Sequence, residues 1–75
     1  MISKIEEYSS GWCGIFLRFD SKEIDRLIES LRLLQEGEIG HFHLVNNSDF
    51  SDERGIADIE ISLKEKEEQD NMQVG

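Results

Sequence analysis

Cysteine is almost missing from this chain. Cys13 stands alone, so no intramolecular disulfide can form, and the oxidised scaffold on which many small secreted domains rely is closed to it. A reducing cytoplasm is the compartment this predicts. Long apolar runs are missing too. The longest, Trp12 to Leu17, is interrupted by Gly14 and falls far short of the roughly 20 residues of a membrane helix. The opening Met1-Ile2-Ser3-Lys4-Ile5-Glu6-Glu7 has neither the apolar core of a signal peptide nor the acid-free composition of a mitochondrial leader. Basic residues are scarce: 8 Lys and Arg stand against 17 Asp and Glu, for a net charge of -9. That balance argues against general affinity for DNA, RNA or an anionic membrane, and it suits a basic partner. Walker, dinucleotide and kinase signatures are also absent, so nucleotide enzymes that use them are excluded.

What remains is a chain of 75 residues, 37% hydrophobic and 33% charged. A chain of that length buries only about 60% of its unfolded surface and closes one small core, so one domain is expected over residues 1–63. Residues 64–75 are mostly charged or amide-bearing, with only Met72 and Val74 apolar, and read as a disordered acidic tail.

Alternation and punctuation give the elements. Ile2 to about Tyr8 is weakly patterned and reads as a short edge strand, and Ser9-Ser10-Gly11 as a turn. Cys13 to Phe19 reads as a central strand, with Ile15, Leu17 and Phe19 on one face and Phe16 and Arg18 on the other. Asp20 or Ser21 is a helix N-cap, and Asp20 with Glu23 has the spacing of a capping box. Ile24, Leu27, Ile28, Leu31 and Leu34 then follow helical spacing, a stripe that predicts an intramolecular core face, and Gly37 suits the C′ position. His41 to Val45 and Ile56 to Leu63 are the last two strands, separated by the polar loop Asn46 to Gly55. The fold class expected is α+β in two layers: one amphipathic helix on a small, mainly antiparallel sheet, in the order strand-strand-helix-strand-strand. A core this small makes a homodimer, through a sheet edge or the uncovered face, a plausible supplement.

Function is to be sought on the polar side of the last two strands. His41 and His43 lie two apart in a strand and share one face, with Phe42 and Leu44 on the other. Setting Phe42 opposite Ile59 in an antiparallel pair places His43 opposite Asp58 and His41 opposite Glu60. Two imidazoles and two carboxylates on one face make a ligand set that zinc accepts. Against a metal stand the lack of a third His or second Cys and the ordinary occurrence of His–acid pairs on solvated sheet faces. No cofactor or metal is therefore assigned, and the face reads first as a partner contact whose binding depends on pH between about 5.5 and 8. Asp49, Asp52 and Glu53 in the adjoining loop extend it. Residues 1–45 carry a net charge of -3 and residues 46–75 a net charge of -6, so the excess lies beside this face and would speed encounter with a cationic protein. Cys13 lacks any protease signature and reads as a small buried hydrophobe, and Trp12 reads as core, with an anchor for a partner at an exposed strand end as the alternative. The acid pairs have little depth in which to be desolvated, so no enzyme is expected.

Three segments carry a resemblance: Glu23-Ile24-Asp25-Arg26-Leu27-Ile28-Glu29-Ser30-Leu31, then His41-Phe42-His43-Leu44, then Ala57-Asp58-Ile59-Glu60-Ile61. Together they resemble the small immunity proteins of bacterial polymorphic toxin systems, in particular immunity family thirty-two, over about Gly14 to Leu63. The resemblance implies a cytoplasmic inhibitor that binds a cognate toxin domain and blocks its active site or an adjacent surface, a partner type that agrees with the basic surface expected from the charge balance. It assigns no role to His41 or His43. The alternatives from other classes are a small metal-binding protein using His41, His43, Asp58 and Glu60, and an orphan dimeric accessory module.

Overall fold

The computed structural model describes residues 1–47 and 54–75. The order is β1 (Ile2–Glu7), β2 (Cys13–Arg18), α1 (Ser21–Gln35), β3 (His41–Val45) and β4 (Asp58–Ser62), the strand-strand-helix-strand-strand α+β plan that the pattern predicts. Both strand pairs are antiparallel. They form two separate two-stranded ladders, β1 with β2 and β3 with β4, flanking the helix in sequence. Two expectations are corrected here: one sheet is replaced by two hairpins, and β2, expected as a central strand, pairs with β1 alone.

The first hairpin turns where Ser9-Ser10-Gly11 directs it. The Gly11 amide donates to the Tyr8 carbonyl at 3.0 Å, and the Tyr8 amide donates to the Trp12 carbonyl at 2.8 Å. Gly11 sits at φ 89°, a backbone region that costs a side-chain-bearing residue energy, and closes the three-residue loop typical of such hairpins. The register then runs from Glu7 opposite Cys13 to Ile2 opposite Arg18. Phe19 lies just past the last pair.

The helix is closed by hydrogen bonds at both ends. Asp20 is the N-cap, its carboxylate accepting the Glu23 amide at 2.8 Å while the Glu23 carboxylate accepts the Asp20 amide at 3.0 Å. This is the capping box that the Asp20 and Glu23 spacing predicts. At the other end Gly37, φ 78°, donates its amide to the Leu34 carbonyl at 3.2 Å, and Glu38 donates to Leu33 at 2.9 Å. Those two bonds are the Schellman arrangement, which the left-handed Gly37 makes possible.

Packing is sparse. The chain presents 7167 Å² to solvent, against about 4,700 Å² for a compact monomer of its mass. Leu34 is the one buried hydrophobic side chain among the described residues. The helix stripe divides into two ridges: Glu23, Leu27, Ser30 and Leu34 are half-buried or buried, whereas Ile24, Ile28 and Leu31 are exposed. The stripe is thus covered along one ridge and open along the next, a correction to the single core face read from its spacing. Trp12, 79% exposed, and Cys13, also exposed, are corrected in the same way: both lie at the turn end of the first hairpin rather than in a core. Residues 64–75 hold no helix or strand. They carry an ion pair from Lys64 Nζ to Asp70 Oδ1 at 2.6 Å.

These contacts rank the costs of substitution. Leu34→Ala removes the deepest side chain and is expected to destabilise by about 2–5 kcal/mol, whereas Leu31→Ala on the open ridge should cost under about 1 kcal/mol. Urea unfolding measures both, and equal costs would show Leu31 to be covered in solution. Asp20→Ala, which deletes the N-cap acceptor, should cost about 1 kcal/mol by the same measurement.

Candidate functional site

The β3–β4 ladder builds the site. Its apolar face pairs Phe42 with Ile61 and Leu44 with Ile59, and all four side chains are half-buried. The opposite face holds His41, His43 and Val45 on β3 with Asp58, Glu60 and Ser62 on β4, all exposed. The Asn46 amide donates to the Ala57 carbonyl at 2.9 Å and the Asn46 side-chain amide to the Ile56 carbonyl at 3.2 Å. These bonds hold the two strands together as they leave the ladder.

The parity of this register matches the sequence expectation, but the pairing is displaced by two residues. Glu60, not Asp58, stands opposite His43, and Ser62, not Glu60, stands opposite His41. The reason lies on the apolar face. Setting Phe42 against Ile59 would have left Leu44 against Ala57, whereas the observed register gives both large β3 side chains an isoleucine, and cross-strand apolar contact is what stabilises a ladder.

The displacement gathers the polar groups around one imidazole. His43 Nδ1 lies 2.9 Å and 3.1 Å from the two carboxylate oxygens of Asp58. On the other side of the ring, His43 Nε2 lies 3.6 Å from Glu60 Oε1. The His41 ring stands edge-on to His43, with centroids 5.1 Å apart and planes at 89°. One potential ligand atom from each of His41, His43 and Glu60 falls within 4.8 Å of the others. Four of the seven residues proposed from sequence, His41, His43, Asp58 and Glu60, are therefore brought together. Asp49, Asp52 and Glu53 lie outside the described residues.

Two other charged contacts were not read from sequence. Arg54 forms an ion pair with Glu7, joining the segment before β4 to the end of β1; a basic residue in a chain of acids was its only signal. The Met1 ammonium lies 2.6 Å from Glu23 Oε2, tying the start of β1 to the helix N-terminus. An open groove of about 620 Å³ lies beside this contact, lined among others by Met1, Glu23, His43, Val45 and Ile59. No helix among the described residues is long and apolar enough to cross a membrane.

No family model matches the chain, and neither a curated protein nor a solved structure matches it.

Glu23 gives the site's surroundings a pH signature. The hydrogen bond from the Met1 ammonium, followed by that from the Asp20 amide, holds its carboxyl below the ordinary value of 4.5. Because the folded-state value is the lower one, the stabilisation is present above 4.5 and is lost as the pH falls through the folded-state value. Glu23→Gln should accordingly be less stable than the parent at neutral pH, with the difference closing in acid. Urea midpoints measured down the pH scale check this, and a gap that stays constant would contradict it.

Proposed function

We propose that this chain is a non-catalytic, acidic binding protein that captures a basic surface on another protein, and that it acts as an immunity protein neutralising a cognate bacterial toxin domain. The observation that carries the reading is the concentration of charge. Residues 46–75 hold a net charge of -6 out of -9, and the exposed face of β3 and β4 presents Asp58 and Glu60 beside His41 and His43. Such a surface attracts a cationic partner and accelerates its approach, and its field weakens with added salt.

Two further features support a binding role over a catalytic one. The carboxylates and imidazoles of the site are exposed, without the burial that tunes a general acid or base. The chain also leaves unburied far more surface than a compact monomer of its size, and uncovered surface of that extent suits a protein that completes its packing on a partner. The resemblance of the helix, His41-Phe42-His43-Leu44 and Ala57-Asp58-Ile59-Glu60-Ile61 to small immunity proteins supplies the type of partner.

Neighbouring genes are the place to look for a candidate toxin domain; its co-expression with this chain should protect the cells, and the purified pair should form a one-to-one complex. Reversing charge with Asp52→Lys and Glu53→Lys should slow association and weaken binding while the melting temperature stays put. Failure to protect would defeat the toxin-neutralising role. An unchanged association rate in the charge-reversed chain would remove the acidic loop from the binding surface.

A further inference from the structure

The geometry points to a divalent metal site on the exposed face of the second hairpin, holding zinc through His41, His43 and Glu60 with Asp58 as the residue that orients His43. The inference starts at His43. A carboxylate only accepts hydrogen bonds, so the 2.9 Å approach of Asp58 to Nδ1 places a proton on that nitrogen. Nε2, on the other side of the ring, stands 3.6 Å from Glu60 Oε1, close enough for one ion to take both as ligands.

The remaining features fit that ion. A carboxylate on one imidazole nitrogen, with the other nitrogen turned toward the ligand cluster, is the outer support that metal-binding histidines ordinarily have; it fixes the tautomer and raises the basicity of the ligating atom. His41 enters from the same strand two residues away, because strand geometry returns its side chain to the same face. Zinc with bonds of about 2.0–2.1 Å keeps its tetrahedral ligands about 3.4 Å apart. The three ligand atoms lie within 4.8 Å of one another, and rotation of exposed side chains closes that difference. Two imidazoles and one carboxylate leave the fourth position to water, as in zinc sites with an accessible coordination place. The overall charge of -9 concentrates cations near the surface. Among the described residues no other group of three His, Cys, Asp or Glu brings its ligand atoms this close.

Metal binding does not depend on the partner reading, since it belongs to the chain alone, and calorimetry of the purified full chain with zinc chloride tests it without any toxin. The expected result is saturable one-to-one binding with Kd below about 10 μM. His41→Gln and His43→Gln should each weaken it at least tenfold. Asp58→Asn should weaken it about 10- to 100-fold through the orientation and basicity of His43. Circular dichroism on each variant verifies that the ladder persists. Replacing Glu65, Glu67 and Glu68 with Gln should leave the affinity unchanged. Absence of binding tighter than about 10 μM would overturn the proposal, as would a His41→Gln, His43→Gln double variant that binds as the parent does. An Asp58→Asn chain with full affinity would overturn the orienting role.

Discussion

Local backbone hydrogen bonding carries this structure. Each hairpin closes on its immediate neighbour in sequence, and the helix between them is sealed at one end by Asp20 and Glu23 and at the other by Gly37 and Glu38. Deep apolar burial, which usually dominates the stability of a domain, is confined among the described residues to Leu34. The consequence runs through everything else. The positions of the site side chains follow from ladder register and cap geometry, and two charged links, Met1 with Glu23 and Arg54 with Glu7, join elements at the periphery.

This explains which features were legible in the sequence. Capping boxes, glycine C′ positions and alternating strands are short-range signals, and Asp20, Gly37 and the His41–Val45 strand lie where those signals put them. Parity is short-range as well, so the common face of His41 and His43 was readable. Register modulo two is not register, however. A displacement of two residues preserves every inward and outward assignment, and only the comparison of Leu44 against Ala57 with Leu44 against Ile59 separates the alternatives. His41, His43, Asp58 and Glu60 thus share the face that the alternation gives them, while their pairing across the strands differs.

Long-range questions fared differently. An apolar stripe at helical spacing says that one side of a helix avoids water, not which of two adjacent ridges receives cover, and Leu27 and Leu34 are favoured over Ile24, Ile28 and Leu31. Likewise four strand patterns do not say whether the strands share one ladder. Trp12 shows the same limit: its hydrophobicity points to a core, but it directly follows a Ser-Ser-Gly turn, where a side chain meets solvent.

Two ladders of two strands have no interior strand. Among the described residues every strand is an edge, with backbone amides and carbonyls along one side that no neighbour in its own ladder can take. Sheets with open edges invite pairing between copies, and charged side chains along the edge are a common safeguard. In this chain Lys4 and Glu6 stand on β1, Arg18 on β2, and Asp58 and Glu60 on β4. Asp58 and Glu60 on the polar face of the second hairpin thus also set negative charge along an open edge, the feature that discourages pairing between strands of separate copies.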